Sequence, residues 1–536
     1  MGMEEARKLA EEVLGKPSGK ASLVKSLFFG RFSNDRLPPL PNLDPLPLLE
    51  KLHSIGIDPV QIDRDQNIPD HVIKSLGNLG LLGLTIPESY GGGGASQSTY
   101  CRLMEELGAL CASTAIFVNA HQSIGLKAIL LFGTEEQKKK WLPSLASGEK
   151  IAAFSLTEPM AGSDAGGIQT KAVWDSGKKG YILNGTKQWT TNGSIASVLT
   201  VMAKTKMEDG KEKVSAFLVP SDSPGLTFTA KALEKVGIRG TRTSNLKFEN
   251  VFVPQENLLG KLGSGLKVCL TTLDFGRTTF GATCTGLSKK LLEMAKKQAI
   301  ERIQFGKPLA HFEMVQYKLA KIAAYTAAME ATTQLTAALV DQGLEDVMLE
   351  AAILKVFASE SLWDMIYETM QIFGGRSFFT DLPLERMMRD ARLNMIGEGA
   401  NEVLRVFIGA VGLREVGEAL KNPRKWGTFL SQCQLMKGNE KVVMGLQKRI
   451  RTFSWQVLYT LARYREGVVE EQFVINRLAS KVISLYTLMA LLWKGGDKNI
   501  IDLYASLAFE QFDHPFIPSH LDPLIKKVAN DMTGID

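Results

Sequence analysis

Tyr181-Ile-Leu-Asn-Gly-Thr186 divides the chain. An Asn-Gly pair beside apolar residues is the strongest short-range hairpin signal, because both residues tolerate the positive φ of a tight turn. A turn is therefore predicted at Asn184-Gly185. Further β-rich runs at 199–203, 214–219 and 247–253 extend this into a compact β domain over 151–262. Outward on both sides the apolar period becomes helical. Residues 48–150 read as an N-terminal helical domain, broken at Ile86-Pro87 and at the glycines 91–94. That glycine run lacks the spacing and the following Lys-Ser/Thr of a phosphate loop, so it reads as a turn. Residues 263–420 hold four long helical segments, a helical bundle. Residues 421–536 read as a C-terminal helical domain, in which Leu478, Val482, Leu485, Met489 and Leu492 recur at spacings of four and three. Residues 1–47 form a leader closed by a proline-rich linker. The expected fold is mostly α with an inserted β domain. No GxGxxG follows a strand, which argues against a nicotinamide cofactor.

Bulk properties narrow the function classes. The chain has 536 residues, 45% hydrophobic and 22% charged, as a soluble globular protein has. A net charge of +6, spread along the chain, suits an anionic ligand and does not suggest a nucleic-acid binder. Cys101, Cys111, Cys269, Cys284 and Cys433 form no CxxC pair and no metal-like cluster with the six histidines. No metal site is expected, and reduced thiols are the simplest account. The longest apolar stretch, 485–493, is too short to span a bilayer. Glu4, Glu5, Glu11 and Glu12 argue against an acid-poor presequence. The expectation is a cytoplasmic bacterial protein, peripheral at the inner membrane if membrane-bound, or a mitochondrial matrix protein if a presequence has been trimmed.

Met395-Ile-Gly-Glu-Gly-Ala-Asn-Glu-Val-Leu-Arg405 places a lone carboxylate, Glu398, between two glycines just before a helical segment. Flanking glycines let a ligand approach closely. On its own, Glu398 would read as a helix-start residue facing the dipole. With Phe154-Ser-Leu-Thr-Glu-Pro-Met-Ala-Gly-Ser-Asp164, Gln188-Trp-Thr-Thr-Asn-Gly193 and Gln371-Ile-Phe-Gly-Gly375, however, it resembles the acyl-CoA dehydrogenase family. The motifs occur in order across independent segments, from about residue 70 to 417.

The resemblance implies a fold of helical domain, β-barrel domain and four-helix bundle, with FAD as cofactor and Glu398 as catalytic base. It implies that Phe154, Leu156, Thr157, Gly162 and Ser163 line the flavin, that Trp189 packs on the isoalloxazine and that Thr191 bonds near N5. Taken alone, Trp189 would read as core and Thr191 as a strand hydroxyl. Arg302, in Glu301-Arg-Ile-Gln-Phe-Gly306, would meet the pyrophosphate. Gln371, Gly374 and Gly375 would reach the dinucleotide of a neighbouring subunit, which implies a homodimer. Ala400 and Glu402 complete the expected cofactor set. Ser163, Asp274, Arg277, Gly397 and Gly399 would contact the acyl-CoA. Abstraction of the α-proton needs a positioned base, and removal of the β-hydrogen with its electrons needs a hydride acceptor that side chains cannot supply. Burial against flavin and thioester should raise the base's pKa.

This chain departs from the family pattern at Gly397, usually aromatic, at Ala400, usually Thr, and at Ser377, usually Gly. Its tail, Gly467-Val-Val-Glu-Glu-Gln-Phe-Val-Ile-Asn-Arg-Leu-Ala479, resembles that of the very-long-chain members, as does Ala120-His-Gln-Ser-Ile-Gly125. Those members have glycines where this chain has Ile116 and Asn119, placed at the far end of the acyl cavity. The expected activity is α,β-dehydrogenation of long-chain acyl-CoA to trans-2-enoyl-CoA in fatty-acid β-oxidation, with an electron-transferring flavoprotein as acceptor. The alternatives are an acyl-CoA oxidase using oxygen and a non-catalytic respiratory assembly partner. Between 424 and 451, seven basic residues and a single acid are interleaved with Trp426, Phe429, Leu430, Leu435, Met436, Leu446 and Ile450. That pattern reads as a peripheral contact with anionic membrane, or equally as a face packed on the protein's own dimer.

Overall fold

The structure is a computed structural model, and it describes residues 22–344, 346–421, 440–516 and 521–534. Helices α1 (Leu23–Phe28), α2 (Leu46–His53), α3 (Pro59–Asp65) and α4 (Asp70–Asn78) lead into α5 (Gln97–Leu110), α6 (Ala112–Val118), α7 (Lys127–Phe132) and α8 (Glu135–Ala146). Between α6 and α7 the chain continues without a break as a π-helix, Asn119–Leu126, a wider turn that often marks functional sites. Thr134 and Gln137 form a capping box that starts α8. Glycines 91–94 form a turn whose amides bond back to Gly83, Ile86 and Pro87 carbonyls.

Eight strands follow as one sheet: β1 (Ala152–Ser155), β2 (Lys171–Asp175), β3 (Gly180–Thr191), β4 (Val198–Lys206), β5 (Glu212–Pro220), β6 (Leu226–Ala230), β7 (Thr243–Pro254) and β8 (Leu258–Leu259). Their order is β6-β7-β3-β2-β4-β5-β8, with β1 parallel to β4. The hairpin predicted at Asn184-Gly185 is not there. The β2–β3 turn falls at 176–179, where the Asp175 carboxylate accepts from the Gly177 and Lys178 amides at 3.0 Å each. Asn184-Gly185 instead interrupts the pairing of β3 with β7 as a bulge. A side chain at 185 would strike Thr170 Oγ1 at 2.4 Å, so glycine serves close packing here rather than a turn.

The long helices are α9 (Gly265–Glu301), α10 (Glu313–Asp341), α11 (Met348–Phe373) and α13 (Asn401–Leu420), with the short α12 (Leu384–Arg392) before the last. A two-stranded hairpin, β9 (Ile303–Gln304) with β10 (Lys307–Pro308), links α9 to α10. In the tail, α14 (Glu440–Tyr464), α15 (Gln472–Lys494) and α16 (Lys498–Asp513) share one apolar core with the bundle, and α17 (Leu521–Thr533) follows them. Residues 22–32 belong to that core as well. Phe28 meets the Phe453 ring edge-on at 5.0 Å, and Glu350 accepts from Ser22 Oγ at 2.6 Å and from the Val24 amide at 3.1 Å.

Two helical stretches, Ala112–Phe132 and Gln472–Lys494, are long and apolar enough to cross a membrane, so the apolar run at 485–493 sits in a longer helix than its own length suggested. The most apolar windows of the two are 78% and 83% buried inside the protein, as core helices are. The basic–apolar segment 424–451 also needs correction. Leu446 and Ile450 point into the shared core at 2% and 1% exposure, because α14 turns one stripe inward. Residues 424–439, with Trp426, Phe429, Leu430, Leu435 and Met436, lie outside the described residues.

Candidate active site

Glu398 sits three residues before α13, in the left-handed region at φ +56, and Gly399 follows at φ +102. A non-glycine residue in that region stores strain that its surroundings must hold. Two cations hold it. Arg277, on α9, donates from Nε to the Glu398 carbonyl at 3.2 Å and pairs with Asp274 at 2.9 Å. Lys355, on α11, donates from Nζ to the Gly399 carbonyl at 2.7 Å and to Asn401 Oδ1 at 2.8 Å. The backbone carrying the carboxylate is thus tied to two helices.

The carboxylate itself is buried. Oε1 accepts from Asn119 Nδ2 at 2.7 Å, while Oε2 is buried without a partner. Burial raises the Glu398 pKa to about 7, against the opposing pull of Arg277, Lys355 and the Asn119 hydrogen bond. Gly276 makes room for it, since a Cβ there would lie 2.4 Å from Oε2. The result is a carboxylate whose pKa is raised towards neutrality, with one oxygen free to take a proton.

A second group assembles where β1 meets β3. The Gln188 amide donates to the Thr157 carbonyl at 2.9 Å, and Ser155 Oγ lies 2.8 Å from Thr190 Oγ1. Lys187 runs beneath, fully buried, bonding the Leu156 carbonyl at 2.8 Å and Glu158 at 2.6 Å. Burial lowers its pKa to about 8. This pair fixes the 156–158 backbone. Trp189 stands outward at φ +57 and 62% exposed, not in the core. Met160 is also exposed, and a Cβ at Gly162 would touch nothing within 4 Å. The exposed indole follows directly on the Gln188–Thr157 bond and lies two residues from Thr191, and an exposed indole with neighbouring hydroxyls fits a planar aromatic ligand. Asn192 Nδ2 reaches the Phe117 carbonyl at 3.0 Å, joining the end of this strip to α6, two residues from Asn119.

The structure therefore gathers Glu398, Gly399, Asp274 and Arg277 in one place, and Phe154, Leu156, Thr157 and Trp189 along one edge, with Thr191 ending β3. Ser163 lies in the turn before the short helix capped by Asp164. Ala400 caps α13, and Glu402 is exposed in its first turn. Gly397 needs no glycine conformation, and a Cβ there would meet Leu393 at an ordinary 3.5 Å. Arg302 lies at the end of α9, beside the β9–β10 hairpin; Gln371, Gly374 and Gly375 lie at the end of α11. Among the described residues no hydrogen bond joins these four to either group. They adjoin exposed aromatics, Phe305 at 94% and Phe378 at 82%. Ser377 fills its usual glycine position by bonding the Met370 and Gly374 carbonyls.

Sequence reasoning missed Lys355, Gly276 and Thr279, and it misplaced Asn119, which touches the carboxylate rather than lying remote from it. Lys355 had a signal: it is a lone lysine inside the apolar run 351–358 of its helix. Asn119 had none, because its partner is 279 residues away.

Family models match four successive stretches: acyl-CoA dehydrogenase N-terminal domain at 57–149, middle domain at 153–251 and C-terminal domain at 263–413, then "ACAD9/ACADV, C-terminal domain" at 440–496. The mouse mitochondrial very long-chain specific acyl-CoA dehydrogenase is 37% identical over 470 residues, 81% of this chain and 71% of that protein. A probable acyl-CoA dehydrogenase of Mycobacterium tuberculosis, FadE10, is 38% identical over 76% of this chain and 65% of its own length. Among solved structures, an acyl-CoA dehydrogenase complexed with FAD from Bacillus anthracis superposes with a TM-score of 0.82 at 29% identity, covering 96% of both chains.

Proposed function

The chain belongs to the acyl-CoA dehydrogenase family and is an FAD-dependent enzyme, and on that premise we propose that it converts long-chain acyl-CoA thioesters to trans-2-enoyl-CoA with Glu398 as base. The observation that carries the reading is the buried Glu398 carboxylate, with Oε2 unpartnered and a pKa of about 7. Bound FAD supplies the acceptor for the β-hydrogen and its electron pair. The residues do the rest. Arg277 and Lys355 fix the backbone at 398–399, so Glu398 Oε2 can take the α-proton without a search in conformation. Trp189, Thr157 and Ser163 are assigned to the flavin. Phe154, Leu156, Gly162, Thr191, Ala400 and Glu402 complete that set, while Asp274, Gly397 and Gly399 border the thioester.

Arg302, Gln371, Gly374 and Gly375 are assigned to the dinucleotide across a homodimer, where Phe305 and Phe378 would be covered. The long-chain preference rests on the tail, which matches the C-terminal domain described as ACAD9/ACADV. An electron-transferring flavoprotein is the proposed acceptor. The exposed face of α14, with Met444, Lys448, Arg451 and Trp455, is the proposed contact with anionic membrane. A chain-length series of acyl-CoAs, assayed with such a flavoprotein and separately with oxygen, tests the reading. Highest kcat/KM on long chains and slow reoxidation in air are expected; a short-chain optimum or rapid turnover with oxygen would contradict it. Ile116 packs with Ile238 and Phe280, and Ile116→Gly should move the optimum towards longer chains if this side chain limits the acyl pocket.

A further inference from the structure

A buried hydrogen-bond chain ends on Glu398. Asn119, 1% exposed at the start of the π-helix, donates to Oε1, and its own Oδ1 accepts from the Thr279 hydroxyl. Thr279 Oγ1 lies 2.9 Å from Ser123 Oγ, which lies 3.0 Å from the Tyr100 hydroxyl. All four residues are at most 1% exposed, so water does not compete for these bonds.

The chemistry of the donors allows two arrangements. An ionised carboxylate only accepts, so it requires the amide NH2 of Asn119; Oδ1 then faces Thr279, which must donate to it. A protonated Glu398 can donate, which suits the amide turned over, with Oδ1 towards the carboxyl and Nδ2 towards Thr279 Oγ1. Thr279 then has other acceptors for its proton, the Phe275 carbonyl at 3.1 Å and the Gly276 carbonyl at 3.0 Å. The structure shows the first arrangement, with Nδ2 on Oε1 and the Thr279 hydroxyl on Oδ1.

We propose that Asn119 is a positioning residue whose amide orientation, set through Thr279, favours the ionised form of Glu398. This rests on the reading of Glu398 as the base. The other groups facing the carboxylate are Arg277 and, behind it, Asp274 from α9, Lys355 from α11 and Tyr100 from α5. All remain in the variants below, so a shift can be assigned to Asn119.

The test is an infrared titration of the FAD-loaded enzyme, following the carbonyl band of protonated Glu398, assigned by its loss in Glu398→Gln. Asn119→Leu keeps the size and removes the amide; the band's midpoint should rise by about one pH unit, and the acid limb of kcat/KM should rise with it. Thr279→Val should move both the same way by less. Asn119→Asp places a second carboxylate against the first and should raise the midpoint further. A role confined to packing would alter stability and leave the midpoint alone. An unchanged midpoint in folded Asn119→Leu and Thr279→Val overturns the proposal. If Glu398→Gln still reduces flavin, the base assignment falls instead, and the band still reports whether Asn119 governs this carboxylate.

Discussion

Glu398 feels two opposing influences. Burial disfavours its charge, while Arg277, Lys355 and Asn119 favour it, and the balance lies near pH 7. Below that pH the base is protonated and cannot accept, so the kcat/KM profile should rise through an acid limb near pH 7. The space around it is equally specific. Gly276→Ala would put a methyl 2.4 Å from Oε2 and 2.7 Å from Ile124 Cγ2. Displacement of the carboxylate should cut kcat by ~100-fold while FAD remains bound, measured as turnover per unit of bound flavin. Near-normal turnover would mean that the carboxylate has a second working position. The sequence pointed to Glu398 because two glycines flank it amid recognisable motifs. It could not point to Asn119 or Thr279, whose meaning lies in contacts made across the fold.

At the scale of elements, helices and strands were legible where their periodicity was long. The four bundle helices and the runs that became β4, β5 and β7 are of this kind. Asn184-Gly185 failed because an Asn-Gly pair signals backbone freedom, and a bulge pressed against Thr170 uses that freedom as well as a turn does. Residues 22–32 read as leader, since six helical residues carry little periodic signal; their role shows only in packing. Glu350 makes that junction depend on pH. It is buried, and burial with Asp346 nearby raises its pKa to about 7, even though Ser22 and the Val24 amide pull it down. Unfolded, it would ionise at its ordinary value. Between those two values the folded state holds a proton that the unfolded state has lost, so stability falls as pH rises through this window. The cost is on the order of 3 kcal/mol once both states are ionised. Glu350→Gln should therefore flatten the decline in Tm between pH 5 and 8. An unchanged slope would place the proton elsewhere.

At the scale of the whole molecule, the tail is part of the catalytic body, because α14, α15 and α16 share its core. What remains outward on α14 is narrower than the sequence suggested. Arg449 pairs with Asp513 and lies over Phe509, while Lys448, Arg451, Met444 and Trp455 stay exposed. Vesicle co-sedimentation should show binding that needs anionic lipid, weakens with salt, and falls in a Lys448→Glu, Arg451→Glu double variant. Equal recovery in the supernatant with and without such vesicles would leave α14 a purely structural helix.

The central claim concerns one proton. Mixing long-chain acyl-CoA with the FAD-loaded enzyme under anaerobic conditions and following flavin absorbance reports a single turnover. Wild-type flavin should bleach, with a rate that rises through pH 7, while Glu398→Gln, with flavin equally bound, should stay oxidised. Bleaching of that variant at a near wild-type rate would contradict the assignment of Glu398 as the base.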